Sequence, residues 1–339
     1  MKKVNTMEEF AGLAGVSRPT ASKYFENPEA VGVRSRQKIE AMLEKVDYRP
    51  NMLASMLMRK ETKIIGVLIP SLGDPLYAAI VRSIELHAMS FGYSVLIECS
   101  YGQPDVEERA IDNLLALKVA GICYAPSGIK AIEGRLQRIQ NELPFVFFDA
   151  SFEGVKYSVQ NDNDQSIELI TDYMIQSERK PAFFPMPDVN SNANERMSTY
   201  KRTMIKHGLE PNVLPVDTEI CWDFERWGKE QALKMIRMKR INENGVICAN
   251  DRIAFGVLSA LFSEGLLSAD LKHQSIPITG HDNQPLSEFT CPPLTTVAQD
   301  VEGIGKLCVE KILSLAGTKN FQLPDEILLK AKLVLRESA

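Results

Sequence analysis

The chain has 339 residues with 39 Lys and Arg against 44 Asp and Glu, a formal net charge of −5, and 45% of its residues are hydrophobic. That length exceeds what one small core usually holds and points to two or three domains. No apolar run approaches the ~18 residues of a membrane helix and the N-terminus lacks the apolar stretch of a signal peptide, so a soluble, cytoplasmic protein with no membrane partner is expected. The charge is uneven. Residues 1–60 hold 11 basic and 7 acidic side chains, net +4, and the remainder is net −9, so only the N-terminal piece carries the local positive footprint that nucleic acid attracts.

In chain order, Thr6 and Glu9 form a capping box that starts a helix at Met7, with Phe10, Leu13 and Ala14 on one face. A Gly15-Val16-Ser17 turn follows, and Ser17 caps a second helix with Pro19 in its first turn, where a missing amide hydrogen costs little. Ala21 and Tyr24 or Phe25 can pack inward, which leaves Arg18, Thr20, Ser22, Lys23 and Glu26 outward. Two short helices meeting at such a turn are a helix-turn-helix signal, and outward side chains of these types can read base edges and phosphates. A third helix, Val33 to Val46 with Gly32 as its cap, carries Ile39, Leu43 and Val46 on one face and closes a three-helix core. After Tyr48 and Arg49, Pro50 suits a helix start, but the seven or eight residues behind it are too few to be stable alone and should order only against a partner.

From Thr62 onward short apolar runs alternate with helical patterns. Ile64–Ile69, Ser94–Glu98, Gly121–Tyr124 and Phe145–Phe148 read as strands, with helices at Tyr77–Phe91 and Val106–Leu117. A second series has strands at Ala182–Phe184, Val246–Ala249 and Ile276–Thr279 and helices at Arg196–His207, Trp227–Met238 and Asp251–Ser263. Two doubly wound parallel sheets follow. Ligands of open α/β sheets bind beyond the carboxyl ends of the strands, where Asp74, Ser100, Asp149, Asn250, Asp251, Asp282 and Gln299 recur.

Cys99, Cys123, Cys221, Cys248, Cys291 and Cys308 show no C-x-x-C spacing, and Cys99, Cys123 and Cys248 read as reduced core residues. His87, His207, His273 and His281 form no H-x-x-H or H-x-H pair, so no metal site is expected. The sequence has no G-x-S-x-G, no Walker-type loop and no G-x-G-x-x-G after a strand; Gly303-Ile304-Gly305 lies inside a helical pattern. Neither an enzyme nor a cofactor is expected.

The chain resembles the lactose-repressor (LacI/GalR) family of bacterial transcription regulators. The resemblance rests on Ala14-Gly-Val-Ser17, Thr20, Ser22, Arg36 to Ile39, Asp47-Tyr-Arg-Pro-Asn51 and Ala54 to Leu57. It continues through Ile65-Gly-Val-Leu-Ile-Pro70, Asp74-Pro-Leu-Tyr77, Phe148-Asp149, Asp162-Asn163, Arg196 to Tyr200, Ala249-Asn-Asp251, Gly280-His-Asp282, Pro293-Leu-Thr-Thr296, Gln299 and Leu333 to Ser338. It implies a small all-α helix-turn-helix head (1–48), a hinge helix or linker (49–61) and a two-lobed periplasmic-binding-protein-like α/β core (62–339). Lobe one would be about 62–160 and 292–320, and lobe two about 161–291 and 321–339.

By the same resemblance, operator DNA would be contacted by Thr6, Ser17, Arg18, Pro19, Thr20, Ser22, Lys23, Ser35, Tyr48, Asn51, Ala54 and Leu57, the last wedging into a minor-groove step. A small effector would sit between the lobes on Asp74, Tyr77, Asp149, Asn161, Arg196, Trp222, Asn250, Asp282 and Gln299. Carboxylates and amides there suit paired hydroxyls, Tyr77 or Trp222 can stack on a sugar face, and Arg196 would equally suit a carboxylate or phosphate. A sugar, a sugar acid and a sugar phosphate all remain open. The resemblance implies a homodimer or dimer of dimers on a pseudo-palindromic operator; the alternative is a cytoplasmic sensor whose DNA head is vestigial. Three departures stand out: Ser166 and Thr199 occupy usual glycine positions, expected near helix ends, Ser177-Glu178-Arg179 replaces a Gly-His-Arg run, and His281 replaces an apolar or aromatic residue.

Overall fold

A computed structural model describes residues 2–49, 62–128, 133–242, 244–267 and 276–339. The chain divides into two compact units, Met1–Thr62 and Lys63–Ala339.

The first unit runs β1 (Lys2–Lys3), α1 (Met7–Ala14), α2 (Arg18–Glu26), a 3-10 turn at Pro28–Ala30, α3 (Val33–Leu43) and β2 (Val46–Asp47). Thr6 Oγ1 accepts from the Glu9 amide at 3.1 Å, and Gly15 ends α1 at φ 63°, a left-handed cap that glycine adopts without a Cβ penalty. Ser17 Oγ accepts from the Thr20 amide at 3.3 Å and so fixes the start of α2. Phe10, Ala11, Ala14, Ala21, Ile39, Val46 and Tyr48 form the core, with Phe10 stacked on Tyr48 at 4.6 Å and Phe25 tilted against both rings.

Three expectations change here. Leu13 is 40% exposed and Ala11 takes its inward place, because Phe10, Ala11 and Ala14 cluster on the side facing the other helices. The third helix stops at Leu43, and Val46 is instead buried in β2, paired in parallel with β1, so the helical head carries a two-residue strand pair beside its three helices. The expected hinge helix, with Asn51, Ala54 and Leu57, lies outside the described residues.

In the second unit, β3 (Ile64–Ile69), β4 (Ser94–Cys99), β5 (Gly121–Tyr124), β6 (Phe145–Phe148) and β7 (Ser158–Asn161) alternate with α4 (Pro75–Ser90), α5 (Pro104–Ala116) and α6 (Glu133–Glu142). They make a parallel sheet in the order β12-β7-β6-β5-β3-β4, where β12 is Glu326–Leu329. Successive side chains of β3 serve opposite faces: Ile65, Val67 and Ile69 join one core with α4 and α11 (Val301–Leu315), and Leu68 joins the other with α5 and α6. A sheet buried on both faces explains the continuous apolar run Phe145–Phe148.

The second lobe holds α7 (Asn163–Gln176), β8 (Ala182–Phe184), α8 (Ser191–Lys206), α9 (Phe224–Arg237), β9 (Val246–Cys248), α10 (Asp251–Ser263) and β10 (Ile278–Thr279). Strands β8, β9 and β10 are parallel, and the bridges Thr279–Thr295 and Asp282–Ala298 extend them to β11 (Thr296–Ala298), itself antiparallel to β13 (Lys332–Val334). Two expected boundaries move accordingly. Thr295–Ala298 joins lobe two, where Val297 packs into that core, and Glu326–Leu329 joins lobe one through its register with β7. The crossovers therefore fall near residues 162, 299 and 330.

Candidate ligand site between the lobes and candidate DNA-binding face

Asp74 caps α4, its Oδ1 accepting from the Leu76 amide at 3.0 Å, and its Oδ2 accepts from Arg252 Nη1 at 3.1 Å. Arg252 stands in the first turn of α10 and also grips Glu225 with two bonds of 2.7 and 2.6 Å, so this triad ties lobe one to lobe two. Beside it the Tyr77 hydroxyl donates to Asp149 Oδ2 at 2.8 Å, and Asn192 Nδ2 of lobe two donates to Asp149 Oδ1 at 3.2 Å. The Trp222 ring packs against the cores of both lobes with its centroid 6.4 Å from that of Tyr77. Gly128 brings the backbones together: a Cβ there would lie 2.0 Å from the Val189 carbonyl oxygen.

Lobe two carries the denser network. Arg196, 3% exposed, donates Nε to Asn163 Oδ1 at 3.0 Å and Nη1 to the Ala249 carbonyl at 2.7 Å, and its Nη2 lies 3.6 Å from Asp282 Oδ1. The same Oδ1 accepts from Gln299 Nε2 at 2.7 Å and meets His281 Nδ1 at 2.8 Å. His281 Nε2 meets Ser166 Oγ at 2.9 Å, and Ser166 Oγ accepts from Asn161 Nδ2 at 3.1 Å. Asp149 and Asp282 both hold positive φ, 66° and 113°, a backbone cost that packed surroundings must sustain and that concentrates at functional sites.

Burial sets the protonation states. It pushes the Asp149 carboxyl up to about 6, against the opposing pull of Arg196 and Tyr77. Burial also raises Asp282, but the Arg196 charge and the His281 and Gln299 bonds outweigh it and hold the carboxyl below its usual range. Burial, reinforced by the Arg196 charge, drives His281 down to about 4, so it is neutral at pH 7. The chain Ser166–His281–Asp282 has the connectivity of a nucleophile, base and orienter. An imidazole held that low is a weak base at neutral pH, and Ser166 is fully buried and already bonded, so the arrangement does not serve nucleophilic chemistry.

Eight of the nine sequence-derived ligand candidates are joined by these contacts, and Asn250 shows only a local bond. Two have local duties: Asn250 Oδ1 caps α10 by accepting from the Ile253 amide, and Asp74 caps α4. Asp251, a strand-end candidate, instead accepts from the Gln284 amide, Ser287 and Thr296, and burial with the nearby Asp282 charge pushes it up to about 7. Sequence reasoning missed the roles of Asn192 and Arg252, which have no local periodic or strand-end signal. Ser166 stands in the first turn of α7, near a helix start as expected, and its side chain meets His281; Thr199 instead lies in the middle of α8 and bonds Asp164. Five buried side-chain atoms have no partner among the described residues: Asn161 Oδ1, Ser191 Oγ, Trp222 Nε1, Thr279 Oγ1 and Gln299 Oε1. Leaving such a group unpaired costs about 1–3 kcal/mol, and Asn161, Trp222 and Gln299 all border the ligand candidates.

In the head, Arg18, Pro19 and Lys23 are exposed, and Thr20, Ser22 and Ser35 are half-buried. Thr6 and Ser17 are helix caps with their hydroxyls at the surface. Arg18 pairs with Glu8 of α1, so it must exchange that partner to reach DNA. Tyr48 departs from its expected role: its ring is buried between Phe10 and Phe25 and its hydroxyl points to Met7 Sδ at 3.6 Å, which makes it a core residue.

A helix-turn-helix head with a polar recognition face, carried on a two-lobed periplasmic-binding-protein-like core, defines a DNA-binding transcription regulator. Residues 6–51 match the model of bacterial regulatory proteins of the lacI family, and residues 176–339 match that of a periplasmic binding protein-like domain. The chain thus carries a lacI-family helix-turn-helix domain and a periplasmic-binding-like domain. It is 28% identical to the ribose operon repressor of Escherichia coli (strain K12) over 310 residues, 91% of this chain and 92% of that one. It is also 28% identical to the lactose operon repressor of the same organism, over 99% of this chain and 92% of the relative. The crystal structure of the lac repressor dimer bound to operator and the anti-inducer ONPF superposes with a TM-score of 0.85 at 26% identity, covering 99% of each chain.

Proposed function

We propose that this protein is a cytoplasmic, homodimeric transcription repressor whose affinity for a pseudo-palindromic operator is set by a small neutral sugar bound between the lobes. The observation that carries the ligand class is the commitment of Arg196. Its Nε and Nη1 donate to Asn163 and the Ala249 carbonyl and its Nη2 faces Asp282 at 3.6 Å, so the guanidinium is turned toward partners already in place, a carboxylate among them, and not toward an incoming anion. Around it stand the carboxylates of Asp74, Asp149 and Asp282, which disfavour an anion and favour hydroxyl donors. A sugar would donate to Asn161 Oδ1 and Gln299 Oε1, accept from Trp222 Nε1 and lay its apolar face on Trp222 or Tyr77. The similarity to the ribose and lactose operon repressors supports the same class, and the dimeric operator complex of the lac repressor supports the DNA partner and the dimer.

A thermal-shift panel of neutral sugars, sugar acids, sugar phosphates and nucleobases tests the ligand class. A neutral sugar should raise the melting temperature of the wild type and not of Asp282→Ala; stabilisation by a sugar phosphate alone would reverse the assignment. On the DNA side, Arg18→Ala and Lys23→Ala should each weaken operator binding, with the one that contacts a base costing roughly 1–3 kcal/mol and relaxing sequence preference. Wild-type footprints from both variants would displace the recognition face.

A further inference from the structure

Ser166 and His281 stand 115 residues apart in sequence and touch at 2.9 Å. Their contact ends on the carboxylate that lobe two offers to the ligand. We propose that Ser166 and His281 form a positioning pair that fixes the Asp282 carboxylate and thereby restricts which sugar hydroxyls the site accepts. The inference rests on the sugar-binding reading above and concerns how that site chooses among sugars.

The proton bookkeeping determines the pair's arrangement. An ionised carboxylate can only accept, so His281 Nδ1, 2.8 Å from Asp282 Oδ1, must be the N–H. A neutral imidazole carries one N–H, so Nε2 must accept, and its neighbour Ser166 Oγ must donate. Asn161 Nδ2 donates to Ser166 Oγ at 3.1 Å, and of the two acceptors that face the Ser166 proton, His281 Nε2 at 2.9 Å is nearer than the Asn163 carbonyl at 3.2 Å. The ring is thus held at both ends, with Asp282 setting the tautomer and Ser166 fixing the ring's orientation through Nε2, as an outer partner orients a ligating side chain.

The consequence falls on Asp282. His281, Gln299 and the more distant Arg196 all address Oδ1, so Oδ2 is the oxygen left for a ligand. A carboxylate with one free oxygen in a fixed plane accepts one hydroxyl in one direction. An apolar ring at position 281 would leave Oδ1 bonded only by Gln299 at 2.7 Å and by Arg196 at 3.6 Å, and the carboxylate could turn to share both oxygens with a vicinal diol. His281 therefore exchanges breadth for selectivity.

The first test needs no ligand. Long-range 15N–1H spectra of the full-length protein at pH 7, with the His281 signal assigned through His281→Asn, should show a neutral ring protonated at Nδ1. Ser166→Ala should keep that tautomer and move the Nε2 resonance toward that of an imidazole nitrogen that accepts no bond, whereas an unmoved Nε2 would show that Ser166 does not hold the ring. An Nε2–H tautomer or an imidazolium in the wild type overturns the proposal. The second test titrates D-ribose, D-xylose and D-arabinose calorimetrically into wild type, His281→Asn, His281→Gln and His281→Phe. Asparagine presents its amide N–H where Nδ1 stands and should keep both affinity and epimer preference. Glutamine reaches Ser166 without serving Asp282; like phenylalanine, it should lose about tenfold or more in affinity, as expected for a lost bond to a charged group, and flatten the preference among the pentoses. Unchanged preference in His281→Phe overturns the proposal. Should none of the three pentoses or the wider sugar panel bind the wild type, the sugar reading fails, and the tautomer spectra still decide the positioning pair.

Discussion

Lobe two carries its polar residues already bonded to one another, whereas lobe one brings Asp74, Tyr77 and Asp149, two of which find further partners only across the gap. Arg196, Asn163, Asp282, Gln299, His281 and Ser166 form a connected set around lobe two. Asp74 and Asp149 reach Arg252 and Asn192 of the other lobe. The contrast separates two tasks. Lobe two provides a preorganised half-site, and the bonds that distinguish one lobe arrangement from another are the crossing ones. A ligand shifts such an equilibrium only through its unequal affinity for the two arrangements, so under the proposed function the crossing groups are where a bound sugar would act.

The strongest way to break the preorganised half is Arg196→Ala. It leaves Asp282 buried without its countercharge and Asn163 and the Ala249 carbonyl without a donor, a loss of about 3–5 kcal/mol by analogy with broken buried pairs. Denaturant unfolding measures it, and a loss under about 1 kcal/mol would show that the network is not a unit. The crossing half is attacked by Gly128→Ala, whose Cβ meets the Val189 carbonyl oxygen. The clash should cost about 1–3 kcal/mol in the closed arrangement, added to a left-handed backbone penalty at φ 75° that does not depend on the lobes, and should be seen as a larger radius of gyration in solution scattering and weaker sugar binding.

Titration sharpens the same comparison. His281 falls from 6.5 to about 4 on folding, so between those pH values the unfolded chain takes a proton the native state refuses, and stability is lost as pH falls. Asp149 rises from 3.8 to about 6, so the native state takes up a proton first and stability is gained as pH falls through that window. The two slopes oppose each other. Relative to wild type, His281→Asn should gain about 2 kcal/mol on going from pH 7 to pH 5, and Asp149→Asn should lose about 1 kcal/mol, read from unfolding midpoints at the two pH values. Equal slopes in all three proteins would contradict the assigned protonation states. Arg252→Ala leaves the buried Asp74 without its countercharge and frees the partly exposed Glu225: about 3 kcal/mol in stability, with a change in lobe closure that scattering again reports.

How much of this was legible in the sequence depended on the range of the interaction. The caps at Thr6, Gly15 and Ser17 are local and were read correctly, as were the strand cores from Ile64 to Phe148, because period and cap chemistry act within a few residues. Asp149, Arg196 and Asp282 were found through strand ends and family pattern. Arg252 and Asp74 are 178 residues apart, and no local rule joins them. The exchange of β11 and β12 between lobes was missed for the same reason, since either short apolar segment suits either sheet and pairing alone decides. Tyr48 and Val46 show the opposite failure: the family pattern placed Tyr48 at the DNA and local periodicity placed Val46 in a helix, while the packing of Phe10 and the β1 pairing put both in the core.

The account's central claim is that occupancy between the lobes sets the operator affinity of the head. Its most direct test is fluorescence anisotropy of the DNA upstream of the protein's own coding region, titrated with full-length protein in the presence and absence of the neutral sugar that stabilises it. The wild type should change operator Kd by about tenfold, in either direction, a size typical of coupling between two sites. Asp282→Ala should bind the same DNA and ignore the sugar. A sugar that stabilises the wild type and leaves its operator Kd unchanged, or one that shifts Asp282→Ala equally, would contradict the account.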